Sequence, residues 1–211
     1  EGVHDARALL SSVRAAASVK PVVVLKAGRH LAGSQAALTH TGALAGNDAV
    51  FDAALRRVGA IRVAAYNQMF SAAQTLAAGR LPAPGPGNRL VVLTNGGGPG
   101  VLAADTAADV GVTMAPLSEA ARAALDAVLP VTWSHGNPLD IMGDADAARL
   151  GRAFEIVLAD PDNVGVVALI TPTVMLGAED AARALLPAAQ ASSKPVVAAF
   201  LGEADADRGA A

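Results

Sequence analysis

The chain has 211 residues, enough for one or two domains with a sizeable core. Its formal net charge of −3 recommends neither nucleic acid nor an anionic membrane as a partner, and the absence of cysteine excludes disulfides and thiolate chemistry. No apolar run approaches the ~20 residues that span a bilayer, and no signal peptide is visible, so a reducing, cytoplasmic setting is expected.

From the amino terminus, "DARALLSSVRAAASV" carries apolar residues at helical spacing and runs into "KPVVVLKAG", whose β-branched run reads as a strand buried on both faces. A segment of small residues follows, "AGSQAALTHTGALAG", which reads as a loop around His40. Asn47 and Asp48 are placed to cap the helix "AVFDAALRRVG", closed by Gly59. "AIRVA" is a short strand, and Asn67 is expected to cap "QMFSAAQTLAAG". Residues 81–88, "LPAPGPGN", have the composition of a linker and set an expected domain boundary. Beyond it, "RLVVLTN" is a buried strand, "GGGPG" a turn and "VLAADTAADVG" a helix. "VTMAP" reads as the next strand, followed by "EAARAALDAVL" capped by Ser118. The stretch "WSHGNPLDIMGDAD" is mostly loop with a short strand at "LDI". The helix "AARLGRAFEIVLAD", the strand "NVGVVALIT", the helix "AEDAARALLPAAQA" and the strand "KPVVAAFLG" complete the pattern.

Alternating helices and strands predict an α/β fold with largely parallel sheets. Two flavodoxin-like units are expected: an incomplete one over 1–80, and a second over 89–211 with five strands and its last helix missing. The chain opens on Glu1 rather than methionine and stops in "GEADADRGAA", so a fragment of a longer protein is expected.

The strongest local feature is "LTNGGGPGVLAAD". A buried strand enters glycines and then a helix, with Pro99 in the first helical turn. In a parallel sheet this arrangement turns backbone N–H groups and the helix dipole toward one spot, suited to phosphate or carboxylate. Asn95, Gly96, Gly97, Gly98 and Gly100 are the candidate phosphate-binding residues; the bland alternative is a tight turn with no ligand. No Lys–Ser/Thr pair follows Gly100, so this is not a P-loop, and Val101 stands where the dinucleotide fingerprint needs glycine.

His40 lies among small side chains, where a partner has room to approach, although a loop histidine of no consequence fits the same residues. His4 and His30 sit beside charged residues and read as surface side chains. His135, in "WSHGNPLD", is the rival, and Asn137 and Asp140 read as turn stabilisers. No pair of histidines has metal-ligand spacing with a carboxylate, so no metal site is expected. A nucleophile elbow G-x-S-x-G is absent, and one tryptophan, one tyrosine and four phenylalanines offer poor walls for a flavin.

Taken in order, "KPVVVLKAG", "THTGALAGNDAVFDAALRRVGAIRV", "LVVLTNGGGPGVLAAD" and "SHGNPLDIMGDA" resemble the NDP-forming acyl-CoA synthetases of the succinyl-CoA synthetase superfamily, over nearly the whole chain. The resemblance implies an enzyme that converts acyl-CoA, phosphate and ADP to acid, CoA and ATP. A histidine carries the phosphoryl group between an acyl-transfer site and a distant nucleotide site, and the motif "HTGALAG" makes His40 that carrier. Thr39 stands where serine is common in the family. Glu1, in "EGVHDAR", falls where the family holds the carrier's other ring nitrogen. The glycine loop 95–100 resembles the start of the helix whose N-terminus stabilises the phosphohistidine. Such chemistry needs positioning and charge stabilisation more than covalent elaboration.

By the same resemblance, the CoA-binding Rossmann domain and the ATP-grasp domain are missing, and they are expected in cis or as separate subunits. CoA, ADP or ATP and magnesium are expected on those parts, with no cofactor tightly bound here, and assembly into an oligomer is left open. Two other functions remain. A synthetase-like module can regulate an attached lysine acetyltransferase, or the chain can be a plain α/β interaction module. The acyl group and the choice between ADP and GDP are not legible.

Overall fold

A computed structural model describes residues 3, 5–41, 46–79, 89–114 and 116–202. Glu1, His4, the expected linker 81–88 and the segment after Gly202 lie outside the described residues. The chain divides into two compact units, Glu1–Gly79 and Arg80–Ala211.

In the first unit, α1 (Ala6–Ala17) is started by Asp5, whose carboxylate accepts from the Ala8 N–H at 2.8 Å. Strand β1 (Val23–Leu25) pairs in parallel with β2 (Ile61–Val63), in the register Val23 to Ile61. Between them lie α2 (Leu31–Thr41) and α3 (Asp48–Arg57), and α4 (Tyr66–Ala77) follows. Asn47 caps α3 as expected, accepting from the Ala49 and Val50 N–H groups, and Gly59 ends it at φ +77°. The core is small: Leu55, Val58 and Ala60, with Leu10, Val13, Val22, Val24 and Phe51 packed against them.

Three expectations for this unit are corrected. The β1 residues are half-buried rather than buried on both faces, because the described sheet has two strands and little to cover it. The small-residue segment is not a loop up to His40. Alanine, leucine and glutamine are good helix formers, and the backbone is helical from Leu31 to Thr41 despite Gly33. Asn67 does not cap α4, which begins one residue earlier, at Tyr66. Instead Gln68 reaches back, its Oε1 accepting from the Ala64 N–H at 2.8 Å.

The second unit holds β3 (Leu90–Thr94), α5 (Gly97–Asp109), α6 (Glu119–Asp126), β4 (Leu139–Asp140), α7 (Ala147–Ala159), β5 (Gly165–Ile170), α8 (Ala178–Ala191) and β6 (Val196–Phe200). The strand order is β4-β3-β5-β6 with every ladder parallel. Ser118 caps α6 as expected. The core lies on one face of this sheet. Alternate strand residues Val91, Leu93, Val166, Ala168 and Ile170 meet Leu125, Leu150, Phe154, Val157 and Leu185 from α6, α7 and α8. On the other face α5 packs beside an apolar groove lined by Leu90, Val92, Val167 and Leu169.

The described residues of "VTMAP", 112–114 and 116, form no strand. Thr113 makes one isolated parallel bridge to Arg89, and the fifth strand of the expected sheet is absent from the described residues. The edge of β3 is completed differently. Asn137 Oδ1 accepts from the Val92 N–H at 3.0 Å, and its Nδ2 donates to the Leu90 carbonyl at 2.7 Å. Farther along, β4 pairs with Leu93 and Thr94. A side-chain amide has the same donor and acceptor as a peptide group, and it fills the place a strand would take.

Candidate functional site

The order β4-β3-β5-β6 makes the chain leave β3 toward one side first and return to the other afterwards. The carboxyl ends of β3 and β5 flank that reversal, the place where open α/β sheets bind ligands. Thr94, Asn95, Asp140 and Thr171 all lie at this end, as does the first turn of α5.

The five residues expected at the glycine loop divide into distinct roles. Asn95 is 2% exposed, and its side chain is spent on structure: Nδ2 donates to the Thr171 carbonyl and Oδ1 accepts from the Thr171 N–H, both at 2.8 Å. Gly96 begins the helix, and its N–H donates to Thr94 Oγ1 at 3.1 Å. A Cβ on Gly96 would stand 2.9 Å from Thr171 Oγ1, and one on buried Gly100 would meet Thr94 and Pro138 at 3.2 and 3.3 Å. These two glycines are required by close packing.

Gly97 and Gly98 differ. Both are exposed, neither N–H has a partner among the described residues, and a Cβ on Gly98 would meet nothing within 4 Å. The two N–H groups open a helix of 13 residues with no acidic side chain in its first turn. They are the positive end of the helix dipole, free to receive an anion.

Two neighbours of this turn were not singled out as site residues by sequence. Asp140 Oδ2 lies 3.4 Å from where a Gly97 Cβ would be, while its Oδ1 accepts from the Met142 N–H. The turn role expected of Asp140 is therefore present, but the carboxylate also stands beside α5. Thr171 Oγ1 is buried without a hydrogen-bond partner among the described residues. The only sequence signal for either was a polar residue at the end of a predicted strand.

His40 is placed by its backbone in the last turn of α2, in the first unit. His30 is exposed, as expected. His135 is held at φ 52° in a compact network. Its Nδ1 lies 3.0 Å from Asp126 Oδ1 and its Nε2 lies 3.0 Å from the Val131 carbonyl oxygen. Asp126 also accepts from Trp133 Nε1 at 2.9 Å, and the Trp133 and His135 rings lie 4.5 Å apart. Both nitrogens of His135 thus face oxygen acceptors, of which a neutral ring with its single N–H can satisfy only one. Among the described residues, no group of three or more histidines and carboxylates could hold a metal ion.

Residues 1–76 match the succinyl-CoA ligase-like flavodoxin domain, and residues 90–211 match the Ligase-CoA domain. The chain belongs to the Ligase-CoA domain family, with a succinyl-CoA ligase-like flavodoxin domain ahead of that domain. It is 36% identical over 208 residues to acetate–CoA ligase (ADP-forming) I of Archaeoglobus fulgidus, covering 98% of this chain and 29% of that protein. It is 34% identical over 208 residues to the alpha subunit of acetate–CoA ligase (ADP-forming) I of Pyrococcus furiosus, covering 98% of this chain and 44% of the subunit. A solved structure, the dinucleotide forming acetyl-coenzyme A synthetase 1 of Ca. Korarchaeum cryptofilum in complex with phosphate and ADP, superposes with a TM-score of 0.88 at 30% identity. That match covers 99% of this chain and 45% of the other. The chain therefore spans less than half the length of each of these relatives.

Proposed function

We propose that this chain is the phosphohistidine-bearing core of an NDP-forming acyl-CoA synthetase, which converts acyl-CoA, phosphate and ADP to the free acid, CoA and ATP. The observation that carries this reading is the family match along both units, in a chain whose "HTGALAG" motif retains His40. The first turn of α5 supports it, because Gly97 and Gly98 offer two free N–H donors at the switch point of a parallel sheet. His135 lies outside the "HTGALAG" motif, and its ring is set beside Asp126 and the Val131 carbonyl.

In this scheme phosphate attacks the acyl-CoA carbonyl and expels CoA as thiolate, giving an acyl phosphate. A neutral ring nitrogen of His40 then attacks the phosphorus, the acid leaves as its carboxylate, and the phosphohistidine delivers its phosphoryl group to ADP. Glu1 accepts a hydrogen bond from the other ring nitrogen and so fixes the tautomer. The N–H groups of Gly97 and Gly98 stabilise charge on the transferring group. Of the five residues expected to bind phosphate, these two contribute by contact, whereas Asn95, Gly96 and Gly100 shape the loop.

Units 1–80 and 89–211, joined through 81–88, are the second half of the phosphohistidine domain and the ligase domain that follows it. CoA, the nucleotide and magnesium bind on CoA-binding and ATP-grasp domains, carried in cis or on a separate subunit. The setting is the cytoplasm; no helix among the described residues is long and apolar enough to cross a membrane. The relatives are acid–CoA ligases, which favours a synthetase over a module regulating a lysine acetyltransferase.

Incubating the full-length protein with labelled ATP and magnesium tests the proposal. The expected product is an acid-labile, base-stable phosphoenzyme, absent in His40→Ala and retained in His135→Ala. Glu1→Gln should slow labelling by about 10²–10⁴-fold. Acid-labile label on the His40→Ala protein would place the carrier elsewhere.

A further inference from the structure

We propose that the first unit binds a small organic carboxylate with an apolar body, in the cavity over Phe51, with its charge held by Lys26. This goes beyond the synthetase reading, which assigns no ligand to that cavity.

Lys26 follows β1 directly, at the carboxyl end of a parallel strand. It is 6% exposed, an unusual burial for a lysine. Its Nζ makes one hydrogen bond, at 3.2 Å, to the carbonyl of adjacent Ala27, and no carboxylate among the described residues forms an ion pair with it. The nearby carboxylates are already engaged. Asp48 is held by Arg62 and Arg29, and Asp52 by Arg56 and Arg62. The Phe51 ring, with its centroid 5.3 Å from Nζ, offsets part of the cost of burial. It accepts no hydrogen bond of ordinary strength, so an ammonium group with three donors retains donors to spend.

Lys26 lines a cavity of about 270 Å³. Leu9, Leu10, Val50 and Phe51 give it apolar walls, and Asn47 lies beside them. Asn47 spends its Oδ1 on capping α3, which leaves its amide N–H groups without a partner among the described residues. One cation, one amide donor and apolar walls select the ligand class. An inorganic anion leaves the walls uncovered, and a neutral alcohol leaves the ammonium unsatisfied. A monocarboxylate with a short aliphatic or aromatic body meets both demands. The volume, just below the roughly 300–1,000 Å³ of sites for drug-sized ligands, sets its small size.

The test is a titration of the full protein with sodium butyrate, followed by NMR of the Phe51 ring and the Lys26 ε-methylene. Saturable shifts at both are expected. Butanol and inorganic phosphate should each bind at least about tenfold more weakly, the effect of losing a charge-assisted hydrogen bond or the apolar contact. Lys26→Met, which keeps the buried stem, should lose butyrate binding by a similar factor, and Lys26→Arg should recover part of it. Phosphate binding as tightly as butyrate, or Lys26→Met binding it unchanged, overturns the proposal. Should Lys26→Met fail to fold, the wild-type titration decides alone, and no saturable shift at Phe51 refutes the site. The source of the acid is read separately in turnover assays. A KM for the acid raised in Lys26→Met, with unchanged labelling of His40 from ATP, identifies the ligase's own acid. An unchanged KM with lost butyrate binding identifies an effector.

Discussion

Asn95 and Thr171 exchange two hydrogen bonds of 2.8 Å, so that the last residue before the glycine loop is locked to the carboxyl end of the neighbouring strand. The asparagine amide pairs with the backbone N–H and carbonyl of Thr171 as one strand pairs with another. This fixes where α5 begins, and with it the direction of the Gly97 and Gly98 N–H groups.

Asn95→Ala should therefore destabilise the second unit by about 2–4 kcal/mol, because both Thr171 backbone groups lose their partner in a buried setting. Asn95→Asp keeps an acceptor for the Thr171 N–H but sets oxygen against the Thr171 carbonyl, so it should rescue little. Urea denaturation of both variants measures this. A loss under ~0.5 kcal/mol would show that the pair does not hold the loop.

The glycines should separate stability from function. Gly96→Ala places a methyl 2.9 Å from Thr171 Oγ1 and should cost about 1–3 kcal/mol. Gly98→Ala meets open space and should raise stability by up to about 1 kcal/mol. Under the proposed function it should nevertheless slow labelling of His40, because the new methyl crowds the free N–H groups proposed to receive the phosphoryl group. A Gly98→Ala protein that is stable and labels at the wild-type rate would sink the anion site.

Asn137→Ala removes the amide that stands in for an edge strand and leaves the Val92 N–H and Leu90 carbonyl without that partner. The expected loss is about 1–3 kcal/mol. Hydrogen exchange at the Val92 amide should accelerate more than at Val91, whose backbone groups face β5. Unchanged protection at Val92 would count against the substitute-strand role.

In the first unit, the hydrogen bond from Arg62 holds the Asp48 carboxyl below its ordinary value of 3.8, with further help from the charges of Arg62, Arg29 and Lys26. The folded chain thus binds this proton less readily than the unfolded chain. The resulting stability is fully present above the unfolded pKa and is lost as pH falls through the lower, folded one. Asp48→Asn should cost stability at pH 7, and the difference from wild type should shrink below about pH 4. Denaturation curves between pH 7 and pH 2 that remain a constant distance apart would disprove the linkage.

The sequence alone determined which residues form most of the helices and strands. Strand–helix alternation, the caps Asn47 and Ser118, and the stop at Gly59 act over a few residues, and their physics is local. The motifs around His40 and Gly96 also pointed to the family from residues alone. Only the tertiary structure decided what each glycine and polar side chain does. Asn95 reads as a ligand-binding residue until Thr171, 76 positions away, takes both ends of its amide. "VTMAP" reads as a strand until Asn137 occupies the edge it would have joined, because a strand exists only where a neighbour leaves backbone groups to pair. Lys26 ends an ordinary β-branched run, and nothing local marks it as buried; Phe51 and the helices packed around it come from distant sequence. Periodicity and capping are written in consecutive residues, whereas burial and unspent hydrogen-bonding capacity depend on which distant segments meet.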